Sequence, residues 1–336
     1  MPQDHLLTVT GLSKYFPVSR SNWLKPKQYL RAVDNVNLYI KPGETLGIVG
    51  ESGCGKSTLA KTIARLYEAT SGEVIFKQTN LTELNQKQLR PIRPKVQYVF
   101  QDPYESLNPR HTIGSTLEEP FIIHTNLSAQ ERADKVVQLL ARVGMPEHAI
   151  NKYPHEFSGG QRQRIGIARA IALEPELLIC DEPVSALDVS VQSQIINLLI
   201  DLQREMNLAI LFIAHDLAVV KHISDRISVM YLGSIVETAE SETLFKAPRH
   251  PYTQFLLDAI PTPDPNSKRI KKRITGELPS PISPPNGCHF NTRCPAVKPE
   301  CHITRPQLIV TDSQDHQVAC HYHQQSFENW ESPWDY

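Results

Sequence analysis

Gly50-Glu51-Ser52-Gly53-Cys54-Gly55-Lys56-Ser57 is the stretch on which the fold turns. It fits G-x-x-x-x-G-K-[ST], a loop whose glycines let backbone N–H groups converge on phosphate oxygens. Lys56 has the reach for the β- and γ-phosphates, and the Ser57 hydroxyl suits Mg²⁺. Thr58 adds a hydroxyl near the α-phosphate. The short apolar run Thr45–Val49 ends at Gly50, and a helical pattern runs from about Lys56 to Tyr67. That order puts the positive end of a helix at the same anion. A glycine-rich turn carrying a chance lysine would need neither flank.

Working outward, short apolar runs at Val96–Phe100, Leu177–Cys180 and Leu208–Ala214 predict further strands. Leu6–Val9 and the alternation Val33, Val36, Leu38, Ile40 predict β-structure before the loop. Residues 102–157 read as mainly helical, with helical spacing at Val136, Val137, Leu139, Leu140 and Val143. Val191–Leu202 reads as an amphipathic helix. Strands alternating with helices predict an α/β domain with a mostly parallel sheet. At the end of the strand Leu177–Cys180 stand two carboxylates. Asp181 suits the Mg²⁺ shell through water, and Glu182 suits a base that polarises the attacking water. A strand ending in acidic turn residues is common, so this pair gains its meaning from the loop upstream.

The chain has 336 residues, which at about 150 per domain predicts two units. A hydrophobic fraction of 40% with 21% charged is ordinary globular composition. The net charge of −1 gives no bulk electrostatic case for a nucleic-acid partner. The longest apolar run, Leu208–Ala214, is far short of the roughly 20 residues a membrane helix needs. MPQDHLLTVTGLSKYF lacks the basic-then-apolar pattern of a signal peptide. A soluble or peripheral cytosolic chain is expected, with any membrane role coming through partner subunits. Beyond residue 260 proline becomes frequent (Pro261, Pro263, Pro265, Pro279, Pro281, Pro284, Pro285), and Lys268–Arg273 reads as a solvated basic linker.

Phe157-Ser158-Gly159-Gly160-Gln161-Arg162-Gln163-Arg164 resembles the signature of ABC ATPases, with Phe where Leu is commoner. Ser158 can cap a helix while Gly159 and Gly160 leave its N–H groups accessible to a γ-phosphate. Other matches follow the family order. Gln101 resembles the Q-loop glutamine, Ser185-Ala186-Leu187-Asp188 the D-loop, and His215 the switch histidine. Phe16, in preference to Tyr15, resembles the aromatic that stacks on adenine. The resemblance implies an ATPase with a RecA-like core, an antiparallel β subdomain and an α-helical subdomain at about 102–165. It implies a cassette over residues 1–260 and a small cysteine-bearing extension over 261–336. It also implies a dimer in which each signature faces the ATP held by the other subunit, with Glu182, Gln101 and His215 acting at this chain's own phosphate loop.

Asp102-Pro103-Tyr104-Glu105-Ser106-Leu107-Asn108-Pro109-Arg110, Pro248-Arg249-His250-Pro251-Tyr252-Thr253 and Gly276-Glu277-Leu278-Pro279-Ser280-Pro281 resemble the dipeptide/oligopeptide importer branch, most closely its F-type dipeptide subunit. The partners this implies are a second, D-type ATPase in a heterodimer, two membrane permeases and, indirectly, a periplasmic peptide-binding protein. The site of action implied is the cytoplasmic face of the inner membrane. Alternatives are the same role for nickel or antimicrobial peptides. A soluble ABC ATPase acting on DNA or ribosomes would carry a coiled-coil insertion or two cassettes, which this sequence lacks.

Cys288, Cys294, Cys301 and Cys320 cluster late in the chain. Four thiolates can hold zinc or an iron–sulfur cluster, and His289, His302, His321 and His323 could also serve zinc. There is no C-x-x-C pair, and disulfides are disfavoured in a cytosolic ATPase. Spacing alone weighs zinc and free thiols above a cluster. The family resemblance, with Pro295 after Cys294, implies a 4Fe–4S cluster.

Overall fold

The computed structural model describes residues 5–18, 27–260, 276–311 and 315–324. The expected linker Lys268–Arg273 and the prolines Pro261, Pro263 and Pro265 lie outside them. The chain forms two compact units, each assembled from separated segments: residues 1–6, 40–44 and 83–213 in one, and residues 7–39, 45–82 and 214–336 in the other.

The first unit carries three parallel strands, in the order Ala209–Ile213, Leu177–Asp181, Val96–Val99. Leu177–Asp181 and Ala209–Ile213 are buried throughout. Covered on both faces, a central parallel strand reads as a continuous apolar run, as these two do. The helices Ile113–His124, Ala129–Arg142, Gly159–Ile171 and Val189–Met206 complete the unit. Ala129–Arg142 begins in a reciprocal capping box between Ser128 and Glu131. It buries Val136, Leu139 and Leu140, the stripe its sequence spacing predicts. Val189–Met206 starts before and ends after its predicted span. It stops at Asn207 in the left-handed conformation, which asparagine tolerates.

The second unit holds two sheets. One has the strand order Tyr29–Ile40, Leu7–Pro17, Ser71–Phe76, Thr79–Asn80, with Leu7 opposite Phe76 in an antiparallel pair. The other runs Ile309–Val310, Gln317–Val318, Ser234–Glu240, Arg226–Tyr231, Thr45–Val49. Within it only Thr45–Val49 and Arg226–Tyr231 are parallel. Their register is fixed at one end by Asp225, whose carboxylate accepts the Thr45 N–H while its own N–H reaches the Thr45 carbonyl. Leu46, Ile48 and Val49 are fully buried, each stabilising the strand by roughly 1.5–3 kcal/mol.

The helix after the glycine-rich loop spans Lys56–Ile63, four residues less than predicted. Arg65 adopts a left-handed backbone there (φ 55°), and Leu66 and Tyr67 fold back to the carbonyl of Lys61. The C-terminal segment adds Gln317–Val318 to the edge of the second sheet. It is pinned by His316, whose Nε2 lies 2.8 Å from Glu237 Oε1. Glu237 is fully buried, and its oxygens also accept the N–H groups of Arg249 and His250.

Candidate active site

In the second unit the glycine-rich loop leaves the buried strand Thr45–Val49 and enters Lys56–Ile63. Gly55 is the N-cap at φ 107°, a region that L side chains rarely adopt. A Cβ there would lie 1.9 Å from the Ala32 carbonyl oxygen, so the position excludes any side chain. Gly53 has no heavy atom within 4 Å of where its Cβ would stand, so the rim of the loop is open. Lys56 is buried at 4% exposure, and its ammonium donates to the carbonyls of Gly50 (2.7 Å) and Glu51 (3.1 Å). The lysine is thereby held across the loop it must serve. Ser57 and Thr58 are half-buried at the helix start. Ser52 is exposed, and Cys54 is buried with its carbonyl accepting the Gly233 N–H. Burial pushes the Cys54 thiol up. A glycine-rich loop leading into a helix N-terminus, with a cation held across it, suits a polyphosphate.

Phe16 is half-buried, edge-on to Tyr67 at 5.6 Å, with the Lys14 ammonium 4.9 Å from its ring centre. Tyr15 is committed elsewhere, because its hydroxyl donates to Asp34 at 2.5 Å. Phe16 is therefore the aromatic of this pair suited to stacking. His215 is exposed and follows Ala214, whose N–H donates to the Ile48 carbonyl of the strand that feeds the loop.

In the first unit Asp181 ends the strand Leu177–Asp181 at 2% exposure, and its Oδ2 accepts the Tyr98 hydroxyl at 2.7 Å. Glu182 follows at φ 46°, a left-handed backbone that costs a non-glycine residue about 1 kcal/mol. Its N–H is tied to the Ile213 carbonyl, and the side-chain amide of Gln101 donates to its Oε2 at 3.0 Å. The strained turn swings the Glu182 carboxylate to the amide of Gln101. Within this unit Gln101 and Asp181 carry the hard oxygen donors that Mg²⁺ takes.

Ser158 caps Gly159–Ile171 in a reciprocal box with Gln161, Gln161 N–H to Ser158 Oγ at 3.3 Å and Ser158 N–H to Gln161 Oε1 at 3.0 Å. Phe157, where leucine is commoner, is buried at 8% exposure. A Cβ on Gly160 would lie 2.3 Å from Val191 Cγ1, so this glycine lets the helix start approach the segment after Asp188. Asp188 itself caps Val189–Met206 through the Val191 N–H. The Arg162 guanidinium stacks 3.8 Å from the Tyr104 ring centre and donates to the Pro154 carbonyl.

Three residues at these sites were given no role in the sequence: Tyr98, Arg293 and Tyr252, the last quoted only as part of the Pro248–Thr253 stretch. Tyr252 is fully buried and its hydroxyl accepts the Glu51 N–H at 2.9 Å. Arg293 donates to both Glu51 carboxylate oxygens at 2.7 and 2.9 Å. Alternation within Val96–Val99 was the only available signal for Tyr98. The contacts of Tyr252 and Arg293 span more than 200 residues and leave no local trace.

The four late cysteines lend the iron–sulfur expectation no arrangement of its own. Cys288 donates its N–H to the Cys301 carbonyl; burial first, and then the nearby Cys301 thiol, push the Cys288 thiol up. Yet among the described residues no group of three or more His, Cys, Asp or Glu side chains is disposed to hold a metal ion. Burial is the main cause that pushes Cys294 up to about 11 and Cys320 up to about 12.

Among the described residues no helix is long and apolar enough to cross a membrane. A family profile described as ABC transporter matches residues 33–185, and one described as Oligopeptide/dipeptide transporter, C-terminal region, matches residues 236–301. The oligopeptide transport ATP-binding protein OppF of Salmonella typhimurium is 53% identical, over 94% of this chain and 95% of its own. The dipeptide transport ATP-binding protein DppF of Haemophilus influenzae is 50% identical, over 90% of this chain and 92% of its own. A dimeric ATP-binding cassette solved in a post-hydrolysis state with ADP and Pi superposes with a TM-score of 0.63 at 31% identity. It covers 70% of this chain and 98% of that one.

Proposed function

This chain belongs to the ABC transporter family of ATP-binding subunits, in its oligopeptide/dipeptide branch, and from that membership we propose that it drives peptide import through permease partners. The observation that carries the cargo is the match of the C-terminal region, residues 236–301, in addition to the cassette. Oligopeptide and dipeptide relatives are about equally similar, so the reading is peptide uptake without a fixed length. The proposal includes a cassette over 1–260 and an extension over 261–336. It places the chain at the cytoplasmic face of the inner membrane, paired with a second ATPase, on two permeases fed by a binding protein.

In this reading the loop Gly50–Ser57 and Thr58 bind the phosphates, Lys56 neutralises them, and Phe16 stacks on adenine. Ser57, Gln101 and Asp181 are the oxygen donors for Mg²⁺, which when bound offsets charge on the phosphates. Glu182, oriented by Gln101, takes the proton of the attacking water as its oxygen bonds to the γ-phosphorus, while the bond to the β,γ-bridging oxygen breaks and ADP leaves. His215 steadies the γ-phosphate. Ser158, Gly159, Gly160 and Gln161, with Asp188 behind them, face the nucleotide of the partner ATPase. Binding energy at that shared surface closes the pair, and hydrolysis opens it.

A 4Fe–4S cluster at Cys288, Cys294, Cys301 and Cys320 belongs to the proposal only as a separate clause. The mutual electrostatic influence of the thiols supports it, and the lack of a ligand-ready arrangement opposes it. Anaerobically purified protein decides: brown colour with broad visible absorbance supports the clause, and a colourless sample with stoichiometric zinc sinks it.

The whole reading is tested by co-expressing the chain with its genomic neighbours. Co-purification with two permeases, and peptide-stimulated ATP turnover in liposomes, are expected. Stimulation by nickel alone would overturn the cargo.

A further inference from the structure

We propose that Arg293 is a positioning residue of the ATP site: it holds and neutralises the Glu51 carboxylate, so that the C-terminal segment sets the loop's affinity for ATP. The inference rests on the ATP-site reading above.

Glu51 is the first residue after Gly50, and three of its groups are engaged. Its N–H donates to the Tyr252 hydroxyl, its carbonyl accepts from Lys56, and both its carboxylate oxygens accept from the Arg293 fork. The Arg293 side chain is 6% exposed, and that of Glu51 is 30% exposed. Arg293 is placed by its own surroundings. Phe290, three residues earlier, is buried at 1% exposure against Tyr231, Tyr252, His250 and Phe255. The guanidinium lies 3.4 Å from the Tyr231 hydroxyl.

A carboxylate at the mouth of a loop built for a polyanion is a liability, because like charges at short range repel strongly when partly buried. The bidentate guanidinium cancels that charge and fixes the direction of the carboxylate, which a lysine point charge would not do. A purely structural staple between extension and loop is the competing account. The two differ in sign. Breaking the staple from either end should disturb the loop alike. Removing the cation alone exposes a repulsive charge, whereas removing the anion alone leaves an attractive one.

The test is ATP competition against a fluorescent trinitrophenyl-ATP on the purified full-length chain, with thermal unfolding recorded for every variant. Arg293→Ala should raise the ATP Kd roughly tenfold, and Glu51→Gln should lower it by about threefold. In the double variant, Glu51→Gln should recover about tenfold of the loss. Losses of affinity in both single variants, or a wild-type Kd for Arg293→Ala, would overturn the proposal. Should Arg293→Ala fail to fold, Arg293→Met keeps the stem beside Tyr231 and carries the same comparison. Lys56→Ala is the control: a wild-type Kd there would sink the ATP-site reading itself, whatever Arg293 does.

Discussion

The Gln101 amide donates to the Glu182 carboxylate at 3.0 Å, linking the end of one parallel strand to the end of its neighbour. Glu182→Gln should leave ATP binding intact and lower turnover by roughly 10²–10⁴. Gln101→Ala removes orientation and keeps the base, so a smaller loss is expected, on the order of tenfold. The check is steady-state ATPase rate of the assembled complex beside nucleotide binding. An unchanged rate for Glu182→Gln would refute its role as base.

Lys56→Ala removes the ammonium held across the loop by two carbonyl contacts. Nucleotide affinity should fall by at least about tenfold, since hydrogen bonds to charged groups contribute about 1.5–3 kcal/mol. Wild-type affinity and turnover would count against the loop as the phosphate site.

Gly160→Ala brings a methyl to within 2.3 Å of Val191. The overpacking should destabilise the first unit by about 1–3 kcal/mol. Paired with Val191→Ala, the same change should regain most of the lost midpoint. Denaturation curves of the three variants decide whether the contact is as close as described.

His250 is held by burial well below its ordinary value, at about 4, and accepts the Tyr252 N–H on Nδ1. In the unfolded chain it titrates near 6.5, so between about pH 6.5 and 4 the unfolded state binds more protons. Stability must therefore fall as the pH drops through that window, by roughly 2 kcal/mol at pH 5. His289, also lowered to about 4, acts in the same direction. His250→Asn keeps an acceptor at the helix start without titrating. Its melting temperature should fall less between pH 7.5 and 5 than that of the wild type. An equal fall would exclude His250 as the source.

Burial keeps the Cys54, Cys294 and Cys320 thiols protonated at neutral pH. Alkylation by iodoacetamide at pH 7.5 should be slow in the native chain and fast in denaturant. Rapid native labelling of Cys54, followed by mass spectrometry, would contradict its burial beneath the loop.

The candidate nucleotide site was legible because its proposed parts are local. Gly50–Ser57, Ser158–Gln161 and Asp181–Glu182 each need a few adjacent residue types at a fixed spacing. Apolar runs such as Leu177–Cys180 marked the buried strands for the same reason. What escaped was non-local or strained. The strands Arg226–Tyr231 and Ser234–Glu240 surround a short turn and look like any apolar stretch. The left-handed turn at Glu182 is a tertiary effect imposed on a residue with no preference for it. Tyr98, Tyr252 and Arg293 acquire a role only through partners far along the chain. The cysteines were legible as a set, but their spacing did not reveal that burial would push the Cys288, Cys294 and Cys320 thiols up.

Glu51 meets Tyr252 across 201 positions and Arg293 across 242. At about 5–20 residues per second, the ribosome makes those two partners about 10–50 s after the loop itself. A nascent chain thus braces its phosphate loop only after residue 293 has been made. Chains broken off before residue 293 would then meet the cell's ATP with Glu51 unbraced and bind it more weakly, as expected for Arg293→Ala.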